Sequence, residues 1–268
     1  MFKENRNWIL IALLLIANLF TINFNVDKSD IDSLFNKLSG RTEAPVQDFY
    51  YYAKRGLDYF SRNQYKQAIP EFNKAIELNP NYDELYLHRG CCYRRLNKFE
   101  PAIRDFNKTA ELNPRNVLAY YDLGELYSVG LRQQETAIQY YDKAIELNTY
   151  HRDSYLNRGY AYLNLGKWER AIPDLNKSIE IQPSSLAYNN LGICYHKLSR
   201  FDEAIKSFDK ALELNPNYAD VYNNRGMVYY DLSQFERAIQ DFNKTLSLNP
   251  NHDFAKNNRA ECYKALGK

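Results

Sequence analysis

Residues 219–252 read ADVYNNRGMVYYDLSQFERAIQDFNKTLSLNPNH, and this pattern recurs through most of the chain. When the stretch is numbered as places 1 to 34, Gly226 stands at place 8, Ala238 at place 20 and Pro250 at place 32, and aromatic residues stand at places 4, 11 and 24. A fixed period of this length indicates a stack of short units, each burying its apolar face against its neighbours.

Six copies of the pattern follow one another, and each has glycine at place 8 and alanine at place 20. These small residues should let the two halves of a copy approach closely. The third copy has one extra residue near 128–132 and the fourth is one residue short, changes expected in turns, where length variation costs least. The copies are 49–82, 83–116, 117–151, 152–184, 185–218 and 219–252.

The pattern resembles the tetratricopeptide repeat, a helix–turn–helix unit of 34 residues with small residues at places 8 and 20. The resemblance implies an all-α fold, a right-handed superhelical solenoid of helix pairs over residues 48–268. Residues 253–268 resemble a seventh first helix, which we expect to cap the stack because its remaining surface is polar. That surface comprises Lys256, Asn257, Asn258, Glu261 and Lys264.

Composition argues against several classes of function. The net charge is +2 with no block of like charge, so nothing indicates nucleic-acid binding. Three of the four cysteines, Cys92, Cys194 and Cys262, fall at place 10 in copies far apart along the stack, and we expect core thiols. No spacing typical of a metal site, phosphate loop or nucleophile elbow occurs, so we expect no catalysis, no cofactor and no small-molecule substrate.

The first 24 residues combine a short basic head with an apolar run, residues 8–24. This run predicts contact with a membrane, as an uncleaved signal-anchor, although a helix of this length is slightly shorter than a bilayer core. A cleaved signal peptide, leaving a secreted or periplasmic protein, and a buried helix are the alternatives. Lys3 and Arg6 precede the run and acids follow it, which puts the solenoid on the non-cytoplasmic side. Free cysteines argue mildly against an oxidising compartment.

Residues 25–47 read as a connector. Residues 29–38 could form a short amphipathic helix that ends at Gly40, and residues 41–47 are predicted to be a linker before the first copy.

Places 7 and 23 vary together among the six copies. Where place 7 is arginine, place 23 is acidic, and where place 7 is leucine (Leu123 and Leu191), place 23 is Tyr140 or Ser207. This predicts a structural ion pair between the two helices of each of four copies. The predicted pairs are Arg55 with Glu71, Arg89 with Asp105, Arg158 with Asp174, and Arg225 with Asp241.

Within the resembled family, the first helices line a concave groove that binds peptides through places 2, 5, 6, 9, 12 and 13. We therefore expect the groove to be apolar and aromatic with scattered charge, suited to a segment with hydrophobic anchors. The residues expected there include Leu87, Arg94, Arg95, Tyr121, Leu156, Tyr160 and Tyr230. The first copy has Ala53 and Leu57 where members that clamp chaperone tails need lysine and asparagine, so that ligand is not expected.

Asparagine occupies place 6 in the last four first helices. The series resembles the asparagine ladder of O-GlcNAc transferases, which holds an extended peptide by its backbone. An amide both donates and accepts hydrogen bonds, as a peptide backbone requires. The series comprises Asn157, Asn190, Asn224 and Asn258.

The resemblance implies a non-catalytic scaffold that binds a protein or peptide in its groove. Two other functions fit the same residues: a fixed structural subunit of an envelope or pilus-type assembly, and a module that delivers substrates to a catalytic partner.

Overall fold

The computed structural model describes residues 44–268, so the predicted membrane segment at 1–24 and most of the predicted connector at 25–47 lie outside the described residues. The described residues form helices joined by short turns. The helices are α1 (Ala44–Ser61), α2 (Tyr65–Leu78), α3 (Asp83–Arg95), α4 (Phe99–Leu112), α5 (Val117–Glu125), α6 (Gln134–Leu147), α7 (Arg152–Asn164), α8 (Trp168–Ile181), α9 (Ser185–Lys197), α10 (Phe201–Leu214), α11 (Ala219–Asp231), α12 (Phe235–Leu248) and α13 (Asp253–Ala265).

The chain divides into two compact units, Met1–Leu85 (unit 1) and Tyr86–Lys268 (unit 2). In the described part of unit 1, α1 and α2 pack against each other. Helix α1 begins at Ala44, so the prediction of a linker through residue 47 is wrong at its end. Pro45 is compatible with this start because the first turn of a helix does not use the backbone N–H that proline lacks.

Unit 2 is a stack of helix pairs. The odd-numbered helices α5, α7, α9 and α11 are the first helices of their repeats, and each packs against the second helix that follows. The first helices α7, α9, α11 and α13 also contact one another in turn, to a greater extent than successive second helices do. The stack in unit 2 therefore curves with its first helices on the inside. We call the surface that these helices form the inner face.

Close approach within each pair depends on the glycine at place 8, as predicted. A Cβ atom added to Gly192 would lie 2.6 Å from the Phe208 ring, and one added to Gly226 would lie 2.8 Å from the Phe242 ring. Real Cβ atoms do not approach this closely, so larger residues at place 8 would force the helices apart.

The two length changes are absorbed differently. In repeat 3 the extra residue is taken up by a π-helical turn, Leu126–Gly130, at the end of α5, followed by Arg132 in the left-handed region (φ 56°). In repeat 4 the missing residue shortens the connection after α8, where the Ser184 side chain accepts a hydrogen bond from the backbone N–H of Ala187. A π turn inside an α-helix is rare and marks an unusual local requirement.

The small residues at places 10 and 20 lie in the core, as the repeat predicts. Cys92, Cys194 and Cys262 are fully buried free thiols, which confirms their assignment to the core. Helix α13 packs on α12 and buries Ala255 and Cys262 together with Phe242, while its predicted polar residues lie outside this cluster. Across residues 44–268, no helix is both long enough and apolar enough to span a bilayer.

Candidate functional site: the inner face of unit 2

The inner face is built from one side of each first helix. Places 2, 5, 6 and 9 fall on the same side because residues three and four apart are neighbours on a helix. Side chains at these places meet side chains of the neighbouring repeat, with place 6 of one repeat contacting place 5 of the repeat before it. The inner face therefore forms from local helix geometry repeated once in each copy.

Asparagines at place 6 link successive first helices. The side-chain amide of Asn157 donates to the Tyr121 hydroxyl at 3.2 Å, and that of Asn224 donates to Oδ1 of Asn189 at 3.0 Å. Asn258 is partly exposed on α13. Place 6 amides thus lie where polar groups of neighbouring repeats meet.

Asn190 departs from the expectation of a ladder of equally available amides. Only 4% of this residue is exposed, because the first helices pack on one another along this line. As placed, Asn190 offers a ligand little surface. The series therefore has more accessible members, Asn157, Asn224 and Asn258, and one nearly buried member.

Arg94 was expected to be available to a ligand, and the structure corrects this. Its guanidinium lies 3.2 Å from Oδ1 of Asp122 and is also paired with Glu125, both on the next first helix. Arg94 is therefore already neutralised within the protein. Arg95, the next residue, is exposed.

Asp122 lies in the middle of this charged cluster. It is 7% exposed, and burial raises its pKa to about 6, with Glu125 adding to the rise and Arg94 opposing it. The Cys91 thiol donates to its carboxylate at 3.5 Å. Repeat 3 thus places a poorly solvated acid at place 6, where repeats 4 to 6 have asparagine.

The aromatic residues expected on the inner face differ in exposure. Tyr160 is 41% exposed. Tyr121 is half-buried, with its ring against His151 at a centroid distance of 5.1 Å, and Tyr230 packs edge-on against Phe235. Tyr160 is thus the most accessible of the three predicted aromatic contacts.

Leu87 and Leu156 were expected to line the groove, and this expectation is wrong. They are 7% and 6% exposed, and each belongs to a core cluster with the alanine at place 20 of its own repeat. A leucine at place 5 therefore packs inward, between the helices, and contributes to stability.

The structure brings together each arginine at place 7 and the acid at place 23 of its own repeat. Arg225 donates from Nε and Nη2 to the two carboxylate oxygens of Asp241 at 2.8 and 2.7 Å. Arg89 with Asp105 and Arg158 with Asp174 have the same two-bond geometry. In unit 1, Arg55 makes a single contact of 3.2 Å with Glu71, and its side chain is more exposed.

Two further acids complete this network and were missed from the sequence. The third guanidinium nitrogen of Arg158 donates to Asp142 at 2.6 Å, and that of Arg225 donates to Asp209 at 2.5 Å. Both acids lie at place 25 of the preceding repeat. A signal was present, since place 25 is aspartate in repeats 3 and 5 and asparagine in the others.

The described residues hold no cluster of three or more His, Cys, Asp or Glu side chains that could bind a metal ion. The inner face combines amides, tyrosines and acids that are mostly engaged with one another. Such a surface can exchange internal hydrogen bonds for those of a bound chain.

Paired helices stacked in one dimension define a helical repeat protein, and comparison with known families agrees. A model described as Tetratricopeptide repeat matches residues 84–116, 153–185, 185–218 and 219–252, and a second of that description matches 106–139. A model described as TPR repeat matches residues 56–91. The chain belongs to the tetratricopeptide repeat family.

Among curated proteins, a segment of 66 residues is 39% identical to the UDP-N-acetylglucosamine–peptide N-acetylglucosaminyltransferase of Giardia intestinalis. The match takes in 25% of this chain and 4% of the transferase. This chain therefore spans a very small part of the curated relative.

Solved structures share the fold. YrrB, described as a TPR protein with an unusual peptide-binding site, is 26% identical with a TM-score of 0.61, covering 69% of this chain and 96% of that one. MamA is 30% identical with a TM-score of 0.58, covering 65% and 95%. PilF of Pseudomonas aeruginosa has a TM-score of 0.69, covering 81% and 99%, but at 18% identity this likeness shows the fold alone.

Proposed function

We propose that this chain is a non-catalytic scaffold that binds an extended segment of a partner protein along the inner face of unit 2. The observation that carries the proposal is the amide contact at place 6, from Asn157 to Tyr121 and from Asn224 to Asn189. Each contact brings a donor and an acceptor together at the junction of two repeats, repeats 3 and 4 for the first and repeats 5 and 6 for the second. An extended backbone, which offers both kinds of group along its length, can exchange bonds with them.

The likeness to YrrB supports this proposal, because that protein is described as having a peptide-binding site and is covered over 96% of its length. The partial match to a peptide-modifying transferase agrees with a role in holding peptides, without extending to catalysis.

The test uses a phage-displayed peptide library selected on the full chain, followed by calorimetric titration of the selected peptides. We expect Asn157→Ala combined with Asn258→Ala to weaken binding roughly tenfold, since about two hydrogen bonds are lost. Asn224→Ala is unsuitable because it would leave the buried amide of Asn189 without its donor.

The matched control combines Asn217→Ala and Asn251→Ala, which change two exposed asparagines at place 33, in turns away from the inner face. The control should melt at the wild-type temperature, and the place 6 variant should melt within about 2–4 °C of it, since the one internal bond lost is that from Asn157 to Tyr121. Equal affinity in the place 6 variant and the control would reject the proposal, as would a library that yields no binder.

We also propose that residues 8–24 tether the scaffold to a membrane with unit 2 on the non-cytoplasmic side. The support is the apolar run flanked by basic residues before it and acids after it. Carbonate extraction should leave the full chain in the membrane pellet, and added protease should reach unit 2 only from the non-cytoplasmic side. Release of the full chain by carbonate would contradict the tether.

A further inference from the structure

Place 2 of the first helices alternates between apolar and acidic residues through unit 2. It is Leu118 in repeat 3, Asp153 in repeat 4, Leu186 in repeat 5, Asp220 in repeat 6 and Phe254 in the capping helix. The three apolar residues are 48%, 46% and 75% exposed. The carboxylate side chains of the two acids are 46% and 64% exposed.

These side chains form a row along the edge of the inner face. Leu118 lies one helical turn before Tyr121, which accepts from Asn157. Leu186 lies one turn before Asn189, which accepts from Asn224. Because places 5 and 6 join neighbouring repeats, place 2 residues follow one another in the same order.

Folding does not account for this alternation. The helix dipole favours an acid in the first turn of any helix, so it explains Asp153 and Asp220. It leaves unexplained why the three remaining first helices of the row expose a large apolar side chain at the equivalent place. Because the first helices of a solenoid form an extended binding surface, apolar side chains exposed at the same place of successive copies are suited to contact a ligand.

The spacing of the row selects the conformation of a ligand. Packed helices lie about 8–10 Å apart, so the row advances by about that distance per repeat. A polyproline II segment rises about 3.1 Å per residue with three residues per turn, so every third side chain returns to one face about 9 Å further on. In a β-strand, residues three apart point to opposite faces. Every second one of these side chains would therefore face away from the row and make no contact with it.

The acids remain able to accept a cation. Arg152 contacts Oδ1 of Asp153, and His252 approaches Oδ1 of Asp220 at 3.3 Å. Both of these contacts use one carboxylate oxygen. A lysine or arginine of a ligand can therefore bind the second oxygen of each acid.

We propose that the partner segment adopts a polyproline II conformation and carries apolar and basic residues alternately at every third position. Its apolar side chains cover Leu118, Leu186 and Phe254, and its basic side chains pair with Asp153 and Asp220. This deepens the proposed function by naming the chemistry of the partner, and it rests on that function.

The test is fluorescence anisotropy of the full chain with synthetic peptides in which leucine and lysine alternate at every third residue, separated by proline and serine. A second peptide has the same composition with the leucines grouped together, and a third has glutamate for lysine. We expect the alternating peptide to bind roughly tenfold more tightly than either of the others, since each of them loses apolar burial or charge pairing.

Variants locate the contact. Leu186→Ser should weaken binding of the alternating peptide roughly fivefold, whereas Leu214→Ser, an equally exposed leucine on the second helix α10, should leave it unchanged. Asp220→Lys should weaken binding of the lysine peptide and strengthen binding of the glutamate peptide.

Equal affinity for the alternating and grouped peptides would overturn the inference, and so would an Leu186→Ser variant that binds as the wild type does. If the grouped peptide binds as well but is lost from the Asn157→Ala and Asn258→Ala variant, the proposed function stands and this inference alone fails.

Discussion

Repeats 5 and 6 differ in how place 7 is filled, at the contact between the two helices of the repeat. In repeat 6, Arg225 at place 7 is bonded to Asp241 of its own second helix and to Asp209 of the preceding repeat. In repeat 5, Leu191 occupies place 7 and lies in an apolar cluster with Leu156 and Leu175. The comparison shows that place 7 accepts a fully bonded ion pair or an apolar contact. A buried charge left there without its partner should lower the stability of the protein.

The same comparison shows how neighbouring repeats are joined. Arg158 reaches Asp142 and Arg225 reaches Asp209, so repeat 4 is tied to repeat 3 and repeat 6 to repeat 5. At the junction of repeats 4 and 5, place 7 of repeat 5 is Leu191, which cannot form an ion pair with the preceding repeat. Because Asp142 and Asp209 are about half exposed, each of these ion pairs should contribute no more than about 1 kcal/mol to the free energy of unfolding.

The largest expected effect comes from placing half of the ion pair in repeat 5. Leu191→Arg puts a charge at a site that is 5% exposed and has no acid at place 23, and should lower the free energy of unfolding by about 3–5 kcal/mol. Adding Ser207→Asp should recover most of this loss in urea denaturation. The exposed Leu214→Arg serves as control and should change stability by less than about 0.5 kcal/mol.

Asp122 tests what happens to a buried acid that lacks the two-bond arginine geometry. Because burial raises its folded-state pKa to about 6, above the ordinary value of 3.8, the native protein binds more protons than the unfolded chain between these values. The extra bound proton stabilises the native state at low pH, and this stabilisation is lost as the pH rises through about 6. Asp122→Asn should remove about 2 kcal/mol of that pH dependence in denaturation curves from pH 4 to 7. Parallel curves for variant and wild type would contradict the assignment.

The smallest effect concerns the turn between the two helices of a repeat. Ser199 adopts a left-handed conformation (φ 58°), and the equivalent residue of repeat 4 is Gly166 (φ 69°). Ser199→Gly should stabilise the protein by about 0.5 kcal/mol, since glycine adopts this conformation without steric cost. Gly166→Ser should destabilise it by a similar amount in thermal melts, and a gain in stability from both changes would be inconsistent with this reading.

The fold and the pairing of places 7 and 23 are accessible from the sequence because they recur within one period and can be compared across six copies. The acids Asp142 and Asp209 also share one place of the repeat, place 25. Their pairing with arginine can be recognised only when each repeat is compared with the next.

Other features of the inner face depend on how far apart the first helices lie. The burial of Asn190, the pairing of Arg94 with Asp122, and the inward packing of Leu87 and Leu156 each follow from distances between repeats. A repeat pattern does not contain those distances. The π turn of repeat 3 is a similar case, since an extra residue can be absorbed in a loop or in a helix.

The central claim is that place 7 accepts a complete ion pair or an apolar contact, but not one charge without its partner. A double-mutant cycle on Arg225 and Asp241 tests this claim most directly. Arg225→Leu alone leaves Asp241, whose side chain is 8% exposed, without its partner and should cost about 3–5 kcal/mol of unfolding free energy. Combined with Asp241→Ser, which converts repeat 6 to the arrangement of repeat 5, most of that loss should be regained. A double variant that loses the full sum of the two single losses would contradict the account.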